Sequence, residues 1–206
     1  ARLIPALTGC LLVLAPLLYK GTIGTFPALI LAFGFALDPS LIALSRTAGT
    51  GSLALTYLIL FFGFLLVRKF SAAGISLGIA FLGGADFWYG LVILLITWGV
   101  LAILSRYSES SGSKKHDFLG LLIRKELLIS LFATLVLLGS LFFSRPEGLG
   151  GIFSGLSQYL VGWLSVEPNT SAGQVVISLI SYEILPIIFG LVGLYLVFMK
   201  QFGRIR

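Results

Sequence analysis

The sequence predicts an all-α polytopic membrane protein of about seven transmembrane helices with one amphipathic helix on the outer surface. Three observations predict it. Long apolar runs recur along the chain, separated by short polar breaks. Charge is scarce: 58% of the 206 residues are hydrophobic and 11% are charged, whereas a soluble domain is about half apolar and about a quarter charged. The few cations fall mostly on one side when the runs are threaded alternately through a bilayer.

A crossing takes roughly 20 apolar residues, and seven runs approach it. The first, 3–19, ends at Lys20-Gly21, and the second, 23–37, at Asp38-Pro39. The third, 53–67, is stopped by Arg68-Lys69, and the glycine-rich fourth, 72–85, by Asp86. The fifth, 87–104, runs into Ser105-Arg106, the sixth, 118–143, into Ser144-Arg145-Pro146, and the seventh, 174–199, into Lys200. The second and fourth are short, so they are expected to tilt or to sit among longer helices. The whole chain, 1–206, reads as one transmembrane domain with five spans in 1–104. A Ser-, Gly- and Lys-rich linker at 105–117 joins them to the sixth.

The stretch 145–169 is different. Leu149, Ile152, Phe153, Leu156, Tyr159, Leu160 and Trp163 recur at helical spacing, with small and polar residues between. This predicts an amphipathic helix in the interface, with Tyr159 and Trp163 at headgroup level.

With Ala1 outside, the cytoplasmic positions hold Lys20, Arg68, Lys69, Arg106, Lys114, Lys115, Arg124, Lys125, Lys200, Arg204 and Arg206. Only Arg2, Arg46 and Arg145 of the 14 basic residues stay outside. The positive-inside bias favours this orientation and opposes the reverse. It predicts an integral protein of the plasma (inner) membrane with the 105–117 loop in the cytoplasm. The net charge of +6 then reports topology, not a nucleic-acid partner. The single cysteine, Cys10, excludes an internal disulfide and a cysteine cluster, and the single histidine, His116, excludes a histidine metal site within the chain.

The outer side collects Asp38, Arg46, Asp86, Arg145, Glu147 and Glu167 under the amphipathic helix. Sparse charges in such a place suit an anionic lipid headgroup, because guanidinium matches phosphate oxygens in two-point geometry. Arg46 and Arg145 are the expected phosphate ligands, and Asp86 the expected base or metal ligand. Glu183, with Tyr182 and Glu147, completes the candidate set. Each residue also has a structural reading. Arg46 can snorkel, Asp38 before Pro39 can turn the chain, and Asp86 can cap the fifth helix. Arg145 and Glu147 can form an exposed ion pair. Glu183 can be a hydrogen-bonded packing residue.

The chain also resembles a known family. Arg2-Leu3-Ile4-Pro5-Ala6-Leu7, the basic turn at Lys20, Asp38-Pro39-Ser40 and Ser45-Arg46 resemble the middle spans of GT-C membrane glycosyltransferases. The likeness is to the protein-mannosyltransferase-like, family 39-like group. Phe142-Phe143-Ser144-Arg145-Pro146-Glu147-Gly148-Leu149, then Tyr159, Trp163 and Ser181-Tyr182-Glu183, look like its archaeal-type branch. The resemblance implies a GT-C-like fold and transfer of a mannose-like sugar from a polyprenyl-phosphate donor to an acceptor on the outer side. It also implies help from a divalent metal ion. Its main catalytic acid, in the first outer loop, would precede Ala1. Relatives carry an acid soon after the Ser-Arg pair, where this chain has Thr47-Ala48-Gly49-Thr50-Gly51. They carry Lys-Glu where it has Ala85-Asp86. Arg46, Asp86 and Glu183 are the positions carried over. The alternative is a degenerate, non-catalytic GT-C-like subunit packed in a larger membrane complex with other membrane subunits. A transporter is disfavoured, because Glu183 is nearly alone at mid-membrane and the halves show no symmetry.

Overall fold

A computed structural model of the protein describes residues 3–47, 49–107, 124–140, 142–144, 150–164 and 171–182, with scattered positions between 184 and 195. Every regular element among these residues is a helix, as the expected all-α class requires.

The first is a composite. Helix α1 (Leu3–Leu14) tightens into a 3-10 stretch (Ala15–Tyr19) and ends in one short turn, α2 (Lys20–Ile23). Pro16 sets the break: it has no N–H for the helix ladder, and a tighter turn tolerates it. Gly24, at φ +90°, then reverses the chain into α3 (Thr25–Leu37), whose first turn holds Pro27. The polar break seen in the sequence contains a helix of its own, α4 (Pro39–Arg46), bent by 56° from α3. Asp38 makes that corner. Its Oδ1 accepts from Ser40 N at 2.8 Å and Leu41 N at 3.0 Å, and Pro39 takes the position where a missing N–H costs nothing. Asp38 is thus spent on the helix start.

Helices α5 (Gly51–Leu66), α6 (Phe70–Phe81), α7 (Ala85–Tyr107), α8 (Lys125–Gly139), α9 (Gly150–Leu164) and α10 (Ala172–Tyr182) follow. Central α5 is buried on two sides. One side, Ser52, Thr56 and Gly63, meets α1: the Thr8 hydroxyl donates to Pro5 O at 2.8 Å and shares a 3.2 Å hydrogen bond with Ser52 Oγ. Thr56 Oγ1 donates to Thr8 O at 3.1 Å, and Tyr19 OH to Ile59 O at 2.6 Å. Because Thr8 meets Ser52 and Thr56 while Leu18 meets Gly63, α1 and α5 run parallel. The other side of α5 packs Phe61 and Leu65 with Phe70, Ala73 and Leu127, and Ala54 and Leu58 with Ala80 and Phe87.

Small residues set the next contact. A Cβ at Gly74 would collide with Ser130 Oγ and Leu127 O, and one at Gly78 would lie 2.9 Å from the Thr134 side chain. Gly74 and Gly78, four apart on α6, therefore let α8 approach backbone to backbone, and the two helices run parallel. The resulting bundle has α1, α5 and α7 pointing one way and α3, α6 and α8 the other.

Large apolar side chains lie mostly outside. Phe26, Phe33 and Phe132 are 74%, 67% and 71% exposed, and Leu29, Ile93 and Ile129 are exposed too. Inside, beside a small apolar core, sit Thr8, Ser52, Thr56, Ser76 and Thr134.

By length and composition, one helical run among the described residues, Leu3–Ile23, suffices to cross a bilayer, and the bent pair of α3 and α4 passes jointly. Gly51–Leu66, Phe70–Phe81 and Ala85–Thr97 are apolar but shorter. Several boundaries differ from those read in the sequence: the fourth run, read as 72–85, is helical over Phe70–Phe81, and the fifth, read as 87–104, is helical over Ala85–Tyr107 and so takes in Asp86. The first run extends to Ile23, because Lys20-Gly21 continues the helix as α2. Helix α8 is described only from Lys125, and it ends at Gly139, before Phe142 and Phe143 take positive φ. The 105–117 linker falls largely outside the described residues, as does most of the seventh run.

Candidate functional site: an apolar cleft and an acidic corner at one end of the bundle

Helix α4 folds back along α1 because Gly9 permits it. A Cβ at Gly9 would lie 2.7 Å from Ser45 Cβ. Beside this contact α1, α3 and α4 leave a cleft of about 500 Å³. Ala6, Cys10, Val13, Phe35, Ala36 and Leu41 give it apolar walls, and Ser45 and Arg46 stand at its polar edge. The Ser45 hydroxyl is turned to its own helix, donating to Ile42 O at 2.8 Å. Arg46 is exposed and ends α4, where a cation is also favoured by the helix dipole.

Asp86 lies on the next corner. It sits in the first turn of α7, exposed, and Thr50 Oγ1 donates to its Oδ2 at 2.9 Å. Its partner is thus a side chain on another segment, which the capping reading had not included. The two corners meet at Gly51. A Cβ there would lie 3.1 Å from Leu44 Cδ1 and 3.4 Å from Asp86 Oδ2. The last turn of α4, with Arg46 two residues beyond Leu44, therefore flanks the same glycine that Asp86 approaches.

Helix α9 roofs this end. A Cβ at Gly155 would lie 2.9 Å from the Gly84 backbone, so the two glycines let α9 press on the turn before α7. Tyr159 packs edge-on against Tyr89, with ring centroids 4.7 Å apart. The amphipathic helix read from the sequence thus forms over Asp86's end of α7, beginning at Gly150.

Of the expected site residues, Arg46 and Asp86 lie at the same end of the bundle, on segments that both flank Gly51. Arg145, Glu147 and Glu183 lie outside the described residues; Tyr182 is the last residue of α10, described here by its backbone alone. Sequence reading missed Thr50, Gly9 and Cys10 as parts of the site. Thr50 carried no signal, because its meeting with Asp86 joins residues far apart in the chain. The Gly9–Ser45 approach had none, because it depends on the fold-back of α4.

Among the described residues no group of three or more His, Cys, Asp or Glu side chains comes together. Asp86 and Thr50 supply one carboxylate and one hydroxyl, too few to cage a divalent ion. What the described corner offers is a hydrogen-bonded carboxylate that can take a proton and a guanidinium that can meet a phosphate. No known family model, curated protein or solved structure matches the chain.

Proposed function

We propose that the chain is embedded in a membrane and binds an anionic lipid phosphate at the α1/α3/α4 cleft. The observation that carries this is the cleft itself, a hydrocarbon-lined slot of ligand size with Arg46 at its edge. A hydrocarbon tail suits the walls, and a phosphate suits the guanidinium.

Two features support the membrane placement. The bundle is inverted relative to a soluble domain, with large apolar side chains outside and hydroxyl and small residues between helices. Charge is also polarised. Lys20, Arg68, Lys69, Arg124 and Lys125 lie at the end opposite to Arg46 and Asp86. The alternating helix directions support a multi-span reading, with α9 in the outer interface, where its exposed Leu160, Val161 and Leu164 meet acyl chains.

The reaction is sugar transfer of the GT-C type that the sequence resembles, from a polyprenyl-phosphate sugar. An acceptor oxygen attacks the anomeric carbon and its proton passes to the Asp86 carboxylate. The bond from that carbon to the phosphate breaks, and the lipid phosphate leaves held by Arg46. The test is a transfer assay in membranes containing the full protein and a polyprenyl-phosphate mannose donor. Transfer is expected, and Asp86→Asn should lower it at least about a hundredfold, as loss of a general base does. Undiminished transfer in that variant would refute the role of Asp86. Donor binding without any transfer would favour the non-catalytic subunit.

A further inference from the structure

The end of the bundle remote from Arg46 carries a second charged feature. The α5–α6 turn and the start of α8 bring Arg68, Lys69, Arg124 and Lys125 to one rim, all exposed, with Glu126 the one acid there among the described residues. Their adjacency is fixed by Phe70. Its ring lies under the Arg124 guanidinium at 4.8 Å, and its other side packs with Leu127 in the α5/α6/α8 core. Among the described residues none of the four cations is paired with a carboxylate. Directly along α8, Leu128, Ile129 and Phe132 are exposed, so an apolar strip descends from the cations.

Arg68 adds a second observation. The end of α5 is a Schellman turn: Lys69 N donates to Phe64 O at 2.9 Å and Arg68 N to Leu65 O at 3.1 Å. Arg68 occupies its left-handed position at φ +59°, where glycine is favoured and a β-carbon is strained. A cation is kept where the backbone favours none.

We infer that this rim binds the phosphodiester headgroup of an anionic phospholipid in the leaflet facing the 105–117 loop, with its acyl chains along the exposed face of α8. The inference rests on the membrane placement above and is independent of the transferase reading. Cations at the rim meet the negative charge of the headgroup, and the Phe70 ring holds the Arg124 guanidinium beside it. A cation near an anionic surface favours it by roughly fivefold, and salt weakens this over a Debye length of about 10 Å at 0.1 M.

The test is spin-label electron paramagnetic resonance on the full protein reconstituted in phosphatidylcholine vesicles. The probes are spin-labelled phosphatidylglycerol and spin-labelled phosphatidylcholine. The protein-bound fraction should favour phosphatidylglycerol by at least about threefold, and 0.5 M salt should reduce that preference. Replacing Arg68, Lys69, Arg124 and Lys125 together by Gln should remove most of that preference, leaving only what the Arg46 cleft contributes. Arg68→Gly should weaken the preference while raising the thermal midpoint, since glycine relieves the turn. That opposition separates a lipid-binding arginine from a merely structural one. A preference undiminished by the fourfold replacement would overturn the inference alone, whereas equal association of both probes would overturn it and count against the lipid-phosphate cleft as well. Release of the protein by alkaline carbonate would overturn the membrane placement and this site with it.

Discussion

On one flank of α5, helices α6 and α8 meet closely through glycines and hydroxyls. On the other flank, α1 and α4 touch at Gly9, and α1, α3 and α4 leave the cleft between them. Both flanks are built from the same apolar residue types, so hydrophobicity does not separate them. Side-chain size at the contact does. Gly74 and Gly78 remove the side chains that would hold α6 and α8 apart. On α3, Ala28 is buried but Phe26, Leu29, Phe33 and Leu37 are exposed, so large side chains stay at its outer face. The difference teaches a division of work: the α5/α6/α8 flank is scaffold, and the α1/α3/α4 flank is where a ligand can enter.

One substitution can be made on both flanks to break the comparison. Gly74→Ala meets Ser130 Oγ and Leu127 O at once, so it should cost about 3 kcal/mol, the upper range for overpacking. The thermal midpoint of the purified protein in detergent checks this, and an unchanged midpoint would mean that the seam is loose. Next comes the cleft. Arg46→Ala should weaken binding of polyprenyl phosphate by about 2 kcal/mol, roughly thirtyfold, the usual worth of a charge-assisted contact. Titration with the fluorescent lipid measures it, and wild-type affinity would remove Arg46 from the site. A smaller effect is expected at Thr50→Val, which takes one hydrogen bond from Asp86. Sugar transfer should fall roughly fivefold, about 1 kcal/mol, with lipid binding unaltered; a loss of binding instead would give Thr50 a different role. Smallest is Gly34→Ala on α3, where an added Cβ meets nothing within 4 Å. It should stabilise by up to about 1 kcal/mol through helix propensity. A fall in the midpoint there would show that α3 is packed after all.

The all-helical class was legible because apolar runs and their charged stops are local signals. Arg68-Lys69 and Asp38-Pro39 end helices where the sequence places those ends. Helix α4 was half hidden: Asp38-Pro39-Ser40 is a helix start as well as a turn, and Leu41 to Leu44 is too short to show a period. Arg46 and Asp86 were legible as rare charges between apolar runs. The approach of Leu44 and Asp86 at Gly51, which brings their segments together, was not, because it joins parts far apart in the chain. Thr50 was illegible for the same reason: a threonine in a Gly- and Thr-rich loop looks like a turn residue until Asp86 is placed beside it. The small-residue seam was visible as a glycine-rich run, while its partner, α8, was not.

Two-sidedness is the central claim, and thiol labelling tests it most directly. In a Cys10→Ser background, single cysteines at Thr47 and at Lys69 are exposed to a membrane-impermeant maleimide in intact cells and after permeabilisation. The account predicts labelling of Thr47→Cys in intact cells and of Lys69→Cys only once the membrane is opened. Labelling of both positions from the same compartment would contradict it.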